Sequence, residues 1–480
     1  MAMRTRTTST NGMPTALSLR TRIPKKEGDI SSVFASLSGG KTEPLPPRFA
    51  DLKREIVGEH GDAILQSWKR LLPVVEEKVR EANERGPSIF PEVQFADIQN
   101  NNVEAEMIDR IKRTGVCIVR NAIPKEEADQ LLSDVRKYIK DNPTTKGTIF
   151  WSASLLTLGF PANDPQIWEL YWSPSQLKAR GHPNTLTATR WLNTAFFHTR
   201  NPDAISLEHQ LSYADRLRIR HPGDAKFALG PHVDGGGIER WEDPTYRKVY
   251  HDILTGNWEK FDSFDATYRA EATMEMYSTV GGCSLFRSWQ GWLSLSETGP
   301  SEGTLKVFPF LKEATAYWIL RPFVHQTLSG DWELDTTDSQ FHGAVPGRGQ
   351  ELFPQTHPHL GLPNSLPSLP IMRPGDFVFW QGDAIHAVEA VHRGKNEAIV
   401  MYIPSVPLCD MNADYIKVQK EAFLNGIPPP DFPGGVGESC HVGRGDAKLL
   451  KDSQAKAAFG FEKFEGDRVV IRRANEILGF

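Results

Sequence analysis

The second half of the chain alternates short apolar segments with turns rich in glycine and proline. Such segments recur after Leu211, and most of them are too short to form a helix. The 39 glycines and 34 prolines among the 480 residues supply the turns between them. Short strands separated in this way are typical of an antiparallel barrel or sandwich. We therefore predict strands at 217–220, 227–234, 284–296, 304–309, 377–380 and 398–404.

The residues before this region favour helices. Apolar side chains recur at helical spacing over 51–85, and a second helix is predicted at 104–113. The apolar segment 114–121 predicts a strand. Pro124 then begins a helix at 125–140, which has acidic residues in its first turn and lysine near its end. Helices flanking a mainly β core indicate an α+β protein.

The spacing of these elements predicts one long domain with additions. We expect a flexible N-terminal tail at 1–47, a single domain at 48–408 and a helical extension at 409–480 packed on it. Two insertions interrupt the strands. The insertion at about 238–280 is helical and aromatic-rich, and it either walls or covers a substrate pocket or packs as a helical subdomain on the barrel. The insertion at 311–371 begins with an apolar helix and ends in a proline-rich loop.

The segment GPHVDG at 230–235 is the strongest local signal for chemistry. Residues two apart on a strand point to the same face, so His232 and Asp234 can bind one metal ion together. A neutral imidazole and a carboxylate suit a divalent ion of the iron type. The alternative is a histidine and an aspartate in a polar turn, with the glycines at 235–237 making that turn.

A third ligand for such an ion is available in the segment 373–404. There His386 follows a turn at Gly382 and Asp383, and the apolar segment 398–404 returns after it. We expect a histidine at this place to face back across a barrel toward the other two ligands. Two histidines and one carboxylate form the facial triad of non-haem iron(II) oxygenases. Without His232 and Asp234, His386 would be interpreted as a structural histidine.

These residues carry a family resemblance. The chain resembles iron(II)/2-oxoglutarate-dependent oxygenases of the double-stranded β-helix type, most of all the phytanoyl-CoA dioxygenase-like enzymes and, among them, the YbiU-like family. The resemblance covers about 105–408 and has large insertions. Four segments match in the same order: TGVCIVRNAIPKEEADQLLSDVRKYI (114–139), HVD (232–234), GWLSLSETGPSEGTLKVFP (291–309) and GDAIHAVEAVHRGKNEAIVMYIP (382–404).

The resemblance implies a jelly-roll, cupin-like barrel in which His232, Asp234 and His386 hold Fe(II) and act in catalysis. It also implies 2-oxoglutarate as co-substrate, dioxygen as oxidant and hydroxylation of a small molecule with release of succinate and CO2. Since the two histidines are 154 residues apart, one barrel must span that interval. Two alternatives remain: a catalytically silent binding protein on the same barrel, and a cupin-like metal-dependent dioxygenase that does not use 2-oxoglutarate.

One position departs from the family pattern. The family places an arginine ten residues after the distal histidine, where it pairs with the far carboxylate of 2-oxoglutarate, but this chain has Asn396. An amide cannot form that charged bidentate pair. Arg287 is the first candidate to replace the arginine, since a guanidinium in an apolar, aromatic segment needs an anion. Further co-substrate candidates are Arg393, Lys395, Lys306 and Arg218, with Trp292 at the place where resembling enzymes set a tryptophan against the co-substrate.

Charge and composition limit the partners. The net charge is −5, so no positive excess is available to neutralise the phosphates of a nucleic acid. Apolar stretches long enough to cross a membrane are missing from the sequence. The four well-separated cysteines favour a reduced, cytoplasmic protein. The basic, Ser/Thr-rich segment 1–26 leaves a mitochondrial transit peptide as the alternative.

Overall fold

The computed structural model describes Phe34 and residues 44–145, 167–225, 228–279 and 281–480. The N-terminal part forms α1 (Arg48–Val57), α2 (Gly61–Arg85), β1 (Glu92–Gln94), α3 (Phe95–Gln99), α4 (Ala105–Thr114), β2 (Val116–Arg120) and α5 (Lys125–Asp141). The helices predicted at 104–113 and 125–140 and the strand at 114–121 are confirmed. The single helix predicted at 51–85 is two helices, because Gly58 ends α1 with a positive φ of 44°.

The middle of the chain carries most of the strands. Its elements are β3 (Ile167–Trp168), α6 (Pro174–Arg180), α7 (Pro183–Phe196), β4 (Ile205–Leu211), β5 (Leu217–Arg220), β6 (His232–Val233), α8 (Glu239–Glu242), α9 (Pro244–Val249), α10 (His251–Leu254), β7 (Trp289–Ser294), β8 (Leu305–Val307), α11 (Leu311–Leu320), β9 (Val324–Gln326), β10 (Trp332–Leu334) and β11 (Gln350–Glu351).

The remaining elements close the sheets and add the C-terminal helices. They are β12 (Phe377–Gln381), β13 (His386–Val388), β14 (Ala398–Tyr402), β15 (Val406–Cys409), α12 (Asp410–Asn425), α13 (Ser453–Ala458) and α14 (Val469–Leu478). Short 3₁₀ turns lie at Gly86–Ile89, Trp258–Lys260, Arg321–Phe323, Pro358–Leu360 and Ala447–Leu449. None of the helices in the described part of the chain is long and apolar enough to span a membrane.

Two sheets organise the core. The larger has the strand order β1-β2-β12-β7-β14-β5-β3, and it is mixed because β1 and β2 run parallel while the other neighbours are antiparallel. The smaller has the order β11-β6-β13-β8. The chain is therefore an α+β protein with a large mixed sheet, and the smaller sheet carries the histidines singled out in the sequence.

Two predicted strands are shorter than expected. The segment 284–296 is a strand only at Trp289–Ser294, because the backbone N–H groups of Ser284 and Phe286 donate to the side chains of Asp431 and Asn412 instead of to a sheet. The segment 227–234 is a strand only at His232–Val233, and Phe227 lies outside the described residues. Strand β4, which pairs with β15, was not predicted.

The aromatic insertion at 238–280 packs as a helical subdomain. Trp241 and Tyr250 are fully buried, and both rings contact Trp318 of α11. This packing matches the second of the two interpretations of the insertion, although Met274 and Thr279 also line the cavity described below. Beyond α11, the segment predicted as a loop contains the small hairpin β9–β10.

The C-terminal helices pack against one another and against β4 and β15, around a second apolar cluster that includes Tyr171, Phe423 and Ile471. Glu438 is buried between this region and the N-terminal part. It accepts hydrogen bonds from the backbone N–H groups of Tyr171 and Trp172 and from the Tyr138 hydroxyl. The helices predicted after residue 409 are present.

Candidate metal centre and its cavity

Strands β6 and β13 bring His232 and His386 side by side. The two strands are antiparallel neighbours, and the two histidines are direct register partners. His386 therefore stands beside His232 on the next strand, although the sequence suggested that it faces back across a barrel. Asp234 directly follows β6, where the backbone turns at Gly235 and Gly236, whose φ angles of 81° and 95° favour glycine.

The three side chains form a cluster suited to a metal ion. Their ligand atoms all lie within 4.8 Å of one another. His232 Nε2 is 3.7 Å from Asp234 Oδ1, and His386 Nε2 is 3.7 Å from Asp234 Oδ2. These separations exceed a hydrogen bond, and they leave room for an ion between the three groups. The donor set of two imidazoles and one carboxylate fits a divalent iron-type ion.

Both histidines are oriented in the same way. His232 Nδ1 lies 2.7 Å from the carbonyl of Gly230, and His386 Nδ1 lies 3.0 Å from the carbonyl of Ala384. Because a carbonyl only accepts hydrogen bonds, each Nδ1 carries the proton and donates it. In a neutral imidazole with this tautomer the lone pair is on Nε2, and the Nε2 of each histidine faces Asp234. Carbonyl partners of this kind are usual for metal-binding histidines.

The charge states suit metal binding. Burial lowers the pKa of His386 to about 3, and the neighbouring His232 contributes in the same direction, so His386 is neutral at pH 7. Burial alone would raise the pKa of Asp234, but His232, His386 and Arg287 outweigh it and lower that pKa. A neutral imidazole and an ionised carboxylate are the forms that bind a metal.

The loop after Asp234 is held by the 238–280 insertion. Arg240 of α8 is fully buried and donates to the backbone carbonyls of Asp234 and Gly236. The Tyr246 hydroxyl donates to the carbonyl of Gly235 at 2.9 Å. The aromatic insertion thus fixes the backbone that carries the Asp234 carboxylate.

The same insertion reaches the turn before His386. Asp383 is buried in that turn and accepts from Arg269 Nη2 at 2.6 Å and from the Tyr250 hydroxyl at 2.8 Å. Arg240 Nε lies 3.9 Å from Asp383 as well. One buried ionic cluster therefore connects the segments that carry the carboxylate and the distal histidine.

A cavity of about 190 Å³ opens beside the triad. Its wall combines aromatic rings, apolar side chains and several arginines. Trp292 and Gln290 project into it from β7, and Ala398 and Val400 project from β14. The other aromatic members of the wall are Phe34, Tyr213, Trp380, Tyr402 and Phe432.

Arg218 has the most unusual position among the arginines of the wall. It lies on β5 as the register partner of Val400, and only 6% of it is exposed. Its Nε and Nη2 have no hydrogen-bond partner among the described residues. By contrast, its neighbour Arg220 donates to Asp224 and to the backbone carbonyl of Glu389. Because buried N–H groups without a hydrogen-bond partner are costly, the Nε and Nη2 side of Arg218 is suited to receive an anion.

Arg287 lies at the metal-binding side of the cavity. Its Nη2 is 3.9 Å from Asp234 Oδ2, and its guanidinium stands over the Tyr213 ring, 5.8 Å from the ring centroid. The structure thus places this sequence candidate in the cavity, next to the carboxylate ligand. Trp292 is buried in the cavity wall as well.

The other predicted co-substrate residues lie elsewhere. Arg393, Lys395 and Asn396 are exposed in the turn between β13 and β14, and none of them lines the cavity. Lys306 donates its Nζ to the carbonyl of Pro363, outside the cavity wall. The turn that carries Asn396 therefore does not bring its side chain to the triad.

Sequence reasoning missed three members of the site. Phe34 comes from the segment predicted as a flexible tail, yet its buried ring packs edge-on against His232 at a centroid distance of 4.8 Å. Gln290, with its amide oriented so that both ends are paired, donates to Asp234 Oδ2 at 2.6 Å and accepts from Trp380 Nε1. The sequence does contain a signal for Gln290, because it lies two residues before Trp292 on one strand and so points to the same face. Phe432 comes from the C-terminal extension, and no local pattern marks it.

Known proteins resemble this chain over a region that contains the triad. A family model described as Gig2-like matches residues 43–461, which include every triad residue. The chain belongs to the Gig2-like family. This Gig2-like chain is 32% identical over 403 residues to the protein YbiU of Escherichia coli (strain K12), covering 82% of the chain and 91% of YbiU.

Solved structures of similar proteins extend over nearly the same length. The GlcNAc Inducible Gene 2 protein of Candida albicans is 32% identical, with a TM-score of 0.81, and the match covers 92% of this chain and 96% of that one. A hypothetical protein from Escherichia coli, JW0805, is 30% identical, with a TM-score of 0.74 and coverage of 87% and 99%. The fold of this Gig2-like chain is thus shared with both proteins over most of its length.

Proposed function

We propose that this Gig2-like protein is a non-haem Fe(II)/2-oxoglutarate-dependent dioxygenase that hydroxylates a small organic molecule. The observation that carries the proposal is the cluster of His232, Asp234 and His386, whose donor atoms match a facial triad. On such a triad, bound Fe(II) and 2-oxoglutarate supply dioxygen activation, in which the substrate gains a hydroxyl group and 2-oxoglutarate becomes succinate and CO2.

The strand arrangement supports a double-stranded β-helix around this centre. The ligand strands β6 and β13 lie together with β8 in the smaller sheet, while β12, β7, β14 and β5 are consecutive in the larger one. Side chains from both sheets, including Leu305 of β8 and Trp292 of β7, line the same cavity. This is the arrangement expected of a jelly roll whose two sheets enclose the site.

Arg218, the last of the candidates drawn from the sequence, fits the co-substrate better than the other candidates do. The far carboxylate of 2-oxoglutarate needs a cation that is held away from the metal ligands and is free to pair. Arg218 has unpartnered Nε and Nη2 atoms and belongs to β5, the neighbour of the closing strand β14. The Arg218 guanidinium, on the neighbouring strand, therefore takes the place of the arginine that the family has at the position of Asn396.

The residues of this chain have separate tasks in the reaction. His232 and His386 present their Nε2 atoms, and Asp234 presents an ionised carboxylate that Gln290 and Arg240 keep in place. Arg218 binds the far carboxylate and so orients the co-substrate. The rings of Phe34, Trp292 and Trp380 exclude water from the triad, which protects a reactive site from side reactions.

The test is succinate formation. Purified protein with Fe(II), 2-oxoglutarate and dioxygen is expected to make succinate slowly even without its substrate, and Asp234→Ala is expected to make none. The matched control Asp262→Ala changes an exposed aspartate outside the triad and should behave as the wild type. Equal succinate yields from wild type and Asp234→Ala would contradict the proposal. Oxygen uptake that does not depend on 2-oxoglutarate would favour a cupin-like dioxygenase instead.

A further inference from the structure

Arg287 is a second cation in the cavity without a hydrogen-bond partner. Its side chain is only 13% exposed, and the described residues give it no hydrogen bond. The nearest carboxylate oxygen, Asp234 Oδ2, is 3.9 Å away and is already directed toward His386 and Gln290. A guanidinium offers five N–H donors, and this long ion pair with Asp234 leaves those donors without a hydrogen bond. An anion at this place would satisfy them.

The far carboxylate of 2-oxoglutarate is poorly suited to be that anion. A 2-oxo acid that chelates a metal does so through its 2-oxo and first carboxylate oxygens, so its far carboxylate points away from the metal. Arg287, however, stands beside a metal ligand. Arg218 is level with Val400 and Ser294 in the sheet, whereas Arg287 precedes Trp289 at the other end of β7. The two guanidiniums thus lie level with opposite ends of β7, and they enter the cavity from these two ends.

The surroundings of Arg287 describe the rest of the ligand. Its guanidinium stands over Tyr213, whose ring is 5.9 Å from the Phe432 ring, and both rings line the cavity. Cys283, a buried thiol, completes the wall on this side. Such a surface contacts an apolar or aromatic body, while the cation beside it takes a negative group.

We infer that the substrate of this site is an organic anion, with a carboxylate that pairs with Arg287 and an apolar body that packs against Tyr213 and Phe432. The inference rests on the proposed function, because it assumes that 2-oxoglutarate occupies Arg218. It goes further by giving the substrate a chemical class. The pairing would place the substrate's carboxylate beside the triad and leave its adjacent carbons closest to the metal.

The experiment uses a matched pair of probes, 3-phenylpropionate and its uncharged amide, titrated calorimetrically into full-length protein saturated with Mn(II) and 2-oxoglutarate. Wild-type protein is expected to bind the carboxylate about tenfold more tightly than the amide, the usual effect of a charged hydrogen bond. Arg287→Met should abolish this preference, and Arg287→Lys should restore part of it. Arg393→Met, which removes an exposed arginine outside the cavity, should retain it.

Three results would overturn the inference. They are equal or undetectable binding of the two probes to wild-type protein, an unchanged preference in Arg287→Met, and loss of 2-oxoglutarate binding in Arg287→Met with the preference intact. A thermal unfolding midpoint equal to that of the wild type shows that each variant is folded. Failure of the proposed function is recognised separately, since 2-oxoglutarate itself would then not bind to the Mn(II)-loaded wild type.

Discussion

His232 and His386 are oriented by the same local device. Each ring donates from Nδ1 to the carbonyl two residues earlier, at Gly230 and Ala384. The backbone of each strand therefore sets the tautomer of its own histidine, and no distant side chain is needed. This explains why a short motif in the sequence could indicate a metal centre before the fold was known.

The unpartnered guanidinium of Arg218 gives the first prediction. Arg218→Met should raise the dissociation constant for 2-oxoglutarate by about tenfold or more, because a charge-assisted pair with the far carboxylate is lost. Metal affinity should change little, since Arg218 contacts no triad residue. Calorimetric titration of the Mn(II)-loaded protein measures both constants. Arg393→Met is the matched control, and an equal loss in that variant would contradict the assignment.

The helices of the 238–280 insertion act as a support for the site. Arg240 and Tyr246 hold the loop after Asp234, while Tyr250 and Arg269 hold Asp383 in the turn before His386. The ionic cluster is buried, so its carboxylate compensates two guanidiniums that cannot reach solvent. The geometry of the triad thus depends on an element that contributes no ligand.

Asp383→Asn tests that dependence. Removing the carboxylate leaves two buried cations uncompensated, which is expected to lower the free energy of unfolding by about 3–5 kcal/mol. The variant should also bind Mn(II) more weakly, because Arg240 no longer holds the Asp234 loop. Urea unfolding and metal titration measure the two effects. Glu259 of the same insertion forms an exposed ion pair with Arg70 of α2. Glu259→Gln breaks this pair and should lower the free energy of unfolding by less than about 1 kcal/mol.

An outcome in which Asp383→Asn loses stability but keeps the metal affinity of the wild type would contradict the supporting role. The cluster would then contribute only to stability.

Glu438 links the C-terminal extension to the rest of the chain, and it predicts a pH dependence. Burial raises the pKa of this carboxyl to about 7, although hydrogen bonds from the Tyr171 and Trp172 backbone oppose the rise. The folded state therefore favours the protonated form. Its contribution to stability is complete below the ordinary carboxyl pKa, near 4.5, and is lost as the pH rises through about 7.

The corresponding experiment compares wild type with Glu438→Gln, which is neutral at every pH. The wild type should lose up to about 3 kcal/mol of unfolding free energy relative to the variant between pH 5 and pH 8, since one pKa unit corresponds to about 1.4 kcal/mol. Urea unfolding at both pH values measures the difference. Glu421→Gln, on an exposed position of α12, should show no such change. A difference independent of pH would contradict the raised pKa.

Across the whole molecule, the sequence predicted those helices and strands that are determined by residues near each other in the chain. The helices α4 and α5, strand β2 and the closing strand β14 follow from periodicity, capping and turn residues. The HVD motif and His386 are next to each other in space because their strands pair. The resemblance led us to expect the three side chains together, but across a barrel and not on neighbouring strands.

Residues whose roles depend on tertiary contacts could not be predicted in this way. Arg218 was one of several basic candidates in the sequence, and it stands out only because its Nε and Nη2 have no hydrogen-bond partner among the described residues of the folded cavity. Phe34 could not be predicted because it packs on His232 from far away in sequence. Gln290 contacts Asp234 only once β7 is placed in the larger sheet. Arg393 and Asn396 were candidates because of their spacing from His386 along the sequence, yet both are exposed in the turn between β13 and β14.

The most direct test of the account is an anaerobic calorimetric titration of 2-oxoglutarate into Fe(II)-treated protein. We predict saturable binding to the wild type that disappears without Fe(II) and in His386→Ala. His325→Ala, which removes an exposed histidine on β9, should bind as the wild type does. If 2-oxoglutarate binds His386→Ala as tightly as the wild type, or binds equally with and without iron, the proposed iron centre is contradicted.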